Sequence, residues 1–185
     1  GVHGGRLRRQ PLPGSLGADP AKTLNHKTGD FALYYLLGNL SLGILQRGLP
    51  PALRFLVASR RFLGITTFSI LLCHVLLYFT MEGFTRQSLL QIPTKLYLTL
   101  GFGAMLILLV MAITSNAFSM RRLGGKNWKF LHRSVYLASA LVTVHVLLIE
   151  KIDLRLFKAL FAALWIAQAV RFARYLAKRI SSPGS

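Results

Sequence analysis

The sequence predicts an all-α integral membrane protein, a polytopic bundle of transmembrane helices, and three observations support this prediction. Hydrophobic residues make up 53% of the 185 residues and the mean hydropathy is +0.49, which is too apolar for an ordinary soluble domain. The apolar residues gather into long runs. The 23 Lys and Arg residues, against five Asp and Glu, fall mainly in the gaps between those runs. The net charge of +18 therefore reflects membrane topology and indicates no nucleic-acid partner.

Five apolar runs approach the length of about 20 residues that a helix needs to cross a bilayer. They cover residues 31–46, 62–81, 97–115, 131–149 and 154–176. The first run is short, but it suffices in a thin bilayer or at a favourable tilt. The predicted organisation is an N-terminal segment over 1–30, a transmembrane domain over 31–179 and a C-terminal tail over 180–185.

The charged residues between the runs predict the orientation of the bundle. The gaps after the first and third runs, and the stretch after the fifth, contain Arg and Lys but no acidic residue, whereas the other two gaps contain both signs. The positive-inside rule places the purely basic stretches, and with them the C-terminus, in the cytoplasm. The basic N-terminal segment would then lie outside with no apolar run to send it across. We therefore expect a truncated or altered first helix and a parental form with six spans.

Two histidines predict the functional site. His74 and His145 lie in the second and fourth runs, which both lead away from the cytoplasm, at depths of about 18 and 21 Å for a rise of 1.5 Å per residue. An imidazole inside a membrane is costly unless it has a partner. Two parallel helices that each present an imidazole at one level are suited to hold a haem iron between two axial ligands. The alternative is that each ring is a buried polar group bonded to a carbonyl.

His132 lies near the cytoplasmic end of the fourth run and has two interpretations. It could bind a second, inner haem, or it could be a polar residue satisfied near the interface. On a straight helix it would be rotated by roughly 220° from His145, so the two rings would not share a face. Cys73, the only cysteine, is interpreted as a packing residue.

Several local segments, taken together, resemble the MsrQ family, the haem-binding membrane subunits of bacterial periplasmic methionine-sulfoxide reductase systems, within the wider ferric-reductase-like transmembrane class. They are SLGADP at 15–20, HKTG at 26–29, RRFLG at 60–64, TS at 114–115, RRLGG at 121–125 and WKFLHRSVY at 128–136. The resemblance covers about 15–179; residues 1–13 do not look like the family's first helix.

This resemblance implies a six-helix protein of the bacterial inner membrane that binds b-type haem and FMN. Its histidine ligands map onto His74, His132 and His145. Electrons would come from the quinone pool or a cytosolic flavin reductase and pass to a periplasmic molybdopterin-containing subunit that reduces methionine sulfoxide. The chain would then be an electron-transfer subunit rather than the catalytic one.

Two further groups of residues each have two interpretations. Arg121, Arg122 and Lys126, with the glycines between them, could hold the phosphate of a flavin, or they could be topogenic charge only. His26 could be a solvated loop residue, or it could contact the partner or the edge of the outer haem.

Two other functions compete with electron transfer to a reductase partner. The same histidine pair could serve a ferric or cupric reductase that acts on a metal outside the membrane. A transporter could use the histidines as a proton relay, although the second, third and fourth runs carry no internal carboxylate to share that work.

Overall fold

The computed structural model describes residues 19–46, 50–53, 55–149 and 155–180, and within these ranges the chain is helical with no strand. A 3-10 turn at Pro51–Leu53 precedes α2. The α-helices are α1 Pro20–Leu45, α2 Phe55–Ala58, α3 Arg60–Glu82, α4 Arg86–Thr94, α5 Leu96–Ile113, α6 Ala117–Leu123, α7 Gly125–His132, α8 Val135–Leu147 and α9 Arg155–Ile180. The prediction of an all-α helical bundle is confirmed.

Helix α1 begins well before the first apolar run. Asp19 adopts an extended conformation and its carboxylate accepts a hydrogen bond from the backbone N–H of Lys22 at 3.1 Å, which caps the helix. Pro20 occupies the first helical position, where its missing N–H costs nothing. Residues 20–30, predicted as part of an N-terminal segment, are therefore helical. Residues 1–18 of that segment lie outside the described ranges, as do residues 181–185 of the predicted tail.

The fourth apolar run is divided between two helices. Helix α7 ends at His132, where the backbone N–H groups of Arg133 and Ser134 bond to carbonyls three residues back, at 3.1 and 3.0 Å. Such i→i−3 bonds tighten the last turn of a helix, and α8 then starts at Val135. The predicted uninterrupted helix over 131–149 is therefore corrected to two helices, which together still form one candidate span, Gly125–Leu147.

Helix α4 lies between α3 and α5 and was not predicted. The Thr85 hydroxyl accepts a bond from the Ser88 N–H at 3.2 Å, and the Ser88 hydroxyl accepts one from the Thr85 N–H at 3.2 Å. This reciprocal capping box starts a helix that is too short and too polar to register as an apolar run.

The long helices pack as two antiparallel pairs, α1 with α3 and α5 with α8, joined by contacts between α3 and α5. Helix α9 packs on α1. One apolar core lies between α1 and α9, and a smaller one lies where α5 meets α8. We call the end of the bundle that holds the first turns of α1 and α5 the cavity end, and the end that holds Arg60 the basic end.

Three stretches are long and apolar enough to cross a membrane: Pro51–Glu82, of which residue 54 lies outside the described ranges, Leu96–Ile113 and Gly125–Leu147. Large apolar side chains are exposed on them, including Phe62 at 70% and Phe130 at 76% of their surface. Such side chains are suited to contact lipid. A helical transmembrane bundle fits these features, while the count of five spans stays a prediction.

Candidate cofactor site

A cavity lies between the two helix pairs, near the end of the bundle that holds the first turns of α1 and α5. Residues of both helix pairs line it, and it is partly open to the outside. Most of its wall is apolar side chain from α1, α3, α5 and α8. Polar groups are few, and they include two of the three predicted histidine ligands, His74 and His145.

His74 is held on α3 by the backbone of α1. Its Nδ1 lies 2.9 Å from the carbonyl oxygen of Asn25. The ring lies against Gly29, so closely that a Cβ built on that glycine would be 3.1 Å from His74 Cε1. The first helix pair thus fixes the direction of this imidazole through one hydrogen bond and one close backbone contact.

His145 is held on α8 by the backbone of α5 in the same way. Its Nδ1 lies 2.6 Å from the carbonyl oxygen of Tyr97. A Cβ built on Gly101 would be 2.9 Å from both Nδ1 and Cε1 of the ring. Each helix pair therefore contributes one imidazole to the shared cavity.

The hydrogen bonds assign the tautomer of both rings. A carbonyl oxygen only accepts, so Nδ1 carries the proton in each neutral imidazole and Nε2 keeps its lone pair. Within the described ranges neither Nε2 makes a hydrogen bond. An N–H donated to a backbone carbonyl is the usual arrangement behind a metal-ligating histidine. Both rings are therefore prepared to ligate through Nε2.

His132 lies apart from this cavity. Its Nε2 is 3.2 Å from the Thr114 hydroxyl, and its ring stacks on the Trp128 indole with centroids 4.0 Å apart. The structure thus brings together two of the three histidines predicted as ligands and leaves the third on a different set of contacts. Its assignment to a second haem stays a prediction.

The residues predicted to bind flavin lie on the surface. Arg121 and Arg122 end α6 and Lys126 begins α7, and all three side chains are exposed and outside the cavity wall. Gly124 between the two helices has φ +76°, a backbone conformation that favours glycine. The role of these three residues in flavin binding stays a prediction.

Four other polar residues line the cavity: His26, Asp30, Thr67 and Tyr78. His26 lies in α1 rather than in a loop, one turn before Asp30. Burial raises the pKa of the Asp30 carboxyl, and nearby His26 lowers it in part. The Tyr78 hydroxyl is buried and has no hydrogen-bond partner within the described part of the chain. His26 and Asp30 lie within one turn of Gly29 on α1, and Tyr78 lies four residues after His74 on α3. Helical periodicity could therefore have placed these side chains near the histidine site from the sequence.

The fold and the cavity define a class: helical membrane proteins in which imidazoles from separate helices face one internal site. The model of the family described as "Ferric reductase like transmembrane component" matches residues 28–149. No solved structure matches the chain.

Similar curated proteins share one name, "Protein-methionine-sulfoxide reductase heme-binding subunit MsrQ". The relative from Herminiimonas arsenicoxydans is 34% identical over 143 residues, which are 76% of this chain and 65% of the relative. The relative from Rhodospirillum rubrum is 36% identical over 143 residues, 76% of this chain and 68% of the relative. The relative from Salmonella enteritidis PT4 is 38% identical over 166 residues, 88% of this chain and 81% of the relative. The chain therefore belongs to the ferric-reductase-like transmembrane family and, within it, to the MsrQ family.

Proposed function

We propose that this protein is the haem-binding membrane subunit of a methionine-sulfoxide reductase system. It transfers electrons across the bacterial inner membrane to a periplasmic molybdopterin-containing subunit, which reduces methionine sulfoxide in oxidised proteins. The single observation that carries this proposal is that His74 and His145, from two separate helix pairs, line one cavity with Nδ1 bonded to a carbonyl and with Nε2 making no hydrogen bond to the described part of the chain.

The residues of the cavity fit a b-type haem. Within the described ranges no cluster of three or more His, Cys, Asp or Glu could hold a bare metal ion. Two imidazoles suffice for haem iron, because the macrocycle supplies the remaining four ligands. The apolar walls suit a flat hydrophobic ring system. When bound there, haem iron would alternate between the ferric and ferrous states and so carry one electron at a time.

The protein would contribute binding, orientation and a low-dielectric environment. His74 and His145 would hold the haem iron, each through an imidazole nitrogen. The carbonyl groups of Asn25 and Tyr97 keep the rings in the required tautomer. The unpartnered Tyr78 hydroxyl is a donor available to a polar group of the cofactor.

The charge distribution supports one orientation of the proposed electron path in the membrane. We assign the basic end of the bundle and the C-terminus to the cytoplasm and the cavity end to the periplasm, in accordance with the positive-inside rule. The cavity then lies on the side of the membrane where the reductase partner would dock. The donor on the cytoplasmic side would be the quinone pool or a cytosolic flavin reductase.

Two further cofactor assignments belong to the same proposal. FMN binding by Arg121, Arg122 and Lys126 is supported by their positive charge and by the two glycines between them. A second haem at His132 would require its Nε2 to leave the Thr114 hydroxyl, or the ring to ligate through Nδ1. We assign no step of electron transfer to either group.

Replacement of the two histidines tests the proposal. The protein is expressed with sufficient haem and purified, and its reduced-minus-oxidised visible spectrum is recorded. His74→Ala and His145→Ala should each remove the cytochrome b bands of the cavity haem. The matched controls are the neighbouring variants Cys73→Ala and Val144→Ala, whose native side chains are exposed and outside the cavity wall. Both controls should keep the bands.

Unchanged bands in both histidine variants would refute the assignment of the ligands. A colourless wild-type protein would refute haem binding and would favour a transporter. Reduction of ferric or cupric salts by the protein alone, without transfer to a methionine-sulfoxide reductase subunit, would identify a metal reductase instead.

A further inference from the structure

We infer that Gly29 and Gly101 are positioning residues that set the orientation of the two axial imidazoles, each by leaving one backbone carbonyl open to a histidine. This inference rests on the proposed function, because its consequence is measured on the haem. It concerns residues that touch the ligands and not the haem iron itself.

The two imidazoles are held by the same device in both helix pairs. His74 Nδ1 bonds to the carbonyl of Asn25 and packs on Gly29, while His145 Nδ1 bonds to the carbonyl of Tyr97 and packs on Gly101. In each case the glycine follows the carbonyl residue by four positions. The carbonyl and its histidine are 49 residues apart in the first pair and 48 in the second.

Helix geometry explains why a glycine occupies this position. The Cα–Cβ bond in an α-helix tilts towards the N-terminus, so a side chain at position i+4 covers the turn that contains carbonyl i. Each carbonyl oxygen accepts the backbone bond from residue i+4 and has a second lone pair for an imidazole N–H; at Asn25, the Thr28 hydroxyl at 2.9 Å also donates to this oxygen. A glycine at i+4 leaves the most room for an imidazole to reach that lone pair, because no Cβ lies against the ring.

The distances predict different effects at the two glycines. A Cβ at 101 would lie 2.9 Å from His145 Nδ1, which is closer than atoms in van der Waals contact approach, so the ring must move. A Cβ at 29 would lie 3.2 Å from His74 Nδ1, so a shift of a few tenths of an ångström would accommodate it. Gly101→Ala should therefore disturb its histidine more than Gly29→Ala.

The same two helices contain control glycines. Gly38 on α1 has open space where its Cβ would be, and a Cβ on Gly103 of α5 would lie 3.6 Å from Leu141, an ordinary contact. Alanine is the better helix former at all four positions. A loss of function at 29 or 101 alone would thus not arise from the helix. Because Gly29 and Gly101 also line the cavity, the EPR signal, which reports the orientation of the ligands, separates a moved imidazole from a Cβ that obstructs the cofactor.

The expected result follows from the hydrogen bond. Donation of the Nδ1 proton to a carbonyl makes the imidazole a stronger ligand, and loss of such partners weakens metal affinity by about 10–100-fold. We expect Gly101→Ala to weaken haem retention within that range and Gly29→Ala to do so less. Because a more basic ligand favours ferric iron, the midpoint potential should rise in both variants.

The experiment compares purified Gly29→Ala, Gly101→Ala, Gly38→Ala and Gly103→Ala with the wild type. Haem per protein, its dissociation rate, the midpoint potential and the low-spin EPR signal are measured, together with the thermal stability of the haem-free proteins. We expect the largest change in haem retention and midpoint potential in Gly101→Ala and a smaller change in Gly29→Ala. The two control variants should have wild-type values. If Gly101→Ala does not accumulate in the membrane, the test is the comparison of the milder Gly29→Ala with its control on the same helix, Gly38→Ala.

Potentials and EPR signals at wild-type values in both Gly29→Ala and Gly101→Ala would overturn the inference and leave haem ligation by His74 and His145 intact. Equal effects in all four variants would also overturn it, since they would indicate general helix packing. Failure of the proposed function itself has a different signature, namely haem bands that persist in the histidine variants.

Discussion

The imidazole of His132 stacks on the indole of Trp128, with ring centroids 4.0 Å apart and 26° between the planes. Both rings are tied to the end of α5: Trp128 Nε1 donates to the Thr114 carbonyl at 2.9 Å, and His132 Nε2 lies 3.2 Å from the Thr114 hydroxyl. Because that hydroxyl donates to the Val110 carbonyl at 2.7 Å, its oxygen accepts from His132. Thr114 thus joins α5 to α7.

Thr114→Val should destabilise the protein by about 1 kcal/mol, because His132 Nε2 would lose its acceptor. The free energy of unfolding in mild detergent measures this loss. The control is Thr80→Val, because the Thr80 hydroxyl is exposed and bonds to a carbonyl of its own helix. Equal stability of the two variants would show that the contact between α5 and α7 contributes nothing.

Asn39→Ala should cost about 1–3 kcal/mol, because it removes both hydrogen bonds between α1 and Arg60. Asn39 donates to the Arg60 carbonyl at 3.1 Å and accepts from Arg60 Nε at 3.2 Å, and both side chains are half-buried. The free energy of unfolding is the measurement. Gln46→Ala, at the end of the same helix, should change it little, and a comparable loss there would argue against a specific role for Asn39.

Ser88→Ala should loosen α4. Ser88 is 1% exposed, and its hydroxyl bonds to the Gly83 carbonyl at 2.7 Å and accepts from the Thr85 N–H. Loss of a capping group costs about 1 kcal/mol. Since Ile92 of α4 lines the cavity, amide exchange in α4 and haem dissociation should both accelerate. Thr94→Val, at the exposed end of α4, should leave both rates unchanged.

Asp30→Asn should raise the melting temperature near neutral pH. Burial raises the pKa of the Asp30 carboxyl above 3.8, so the folded protein holds this proton more tightly than the unfolded chain. The stability that the carboxyl contributes is therefore present at low pH and lost as the pH rises through the raised pKa. The advantage of Asp30→Asn should vanish as the pH falls towards 3.8, and an advantage that persists there would have another cause.

The sequence predicted the long helices and the common level of His74 and His145, because residue counting along two apolar helices that run in the same direction measures depth directly. It could not predict that Asn25 and Tyr97 hold these rings. Contacts between a side chain and the backbone of another helix depend on packing register, to which hydrophobic periodicity is insensitive. Glycines four residues after each carbonyl were visible, but nothing local to them indicates a distant histidine.

The break between His132 and Val135 was missed for a related reason. The hydropathy of residues 131–149, averaged over the segment, is that of one apolar helix. The i→i−3 bonds at Arg133 and Ser134 are not marked by any strong change in amino-acid composition. Helix α4 was missed because its capping box at Thr85 and Ser88 is the only sequence feature that marks it. Local hydrogen bonding thus decided the details that hydropathy left open.

Low-temperature EPR of the ferric protein with 15N-labelled histidine shows whether the Nε2 atoms of His74 and His145 bind the same iron. We expect a low-spin haem signal with hyperfine coupling to two imidazole nitrogens, lost in His74→Ala and in His145→Ala alike. A haem signal with one histidine nitrogen or none, or one that survives both substitutions, would refute ligation by both histidines.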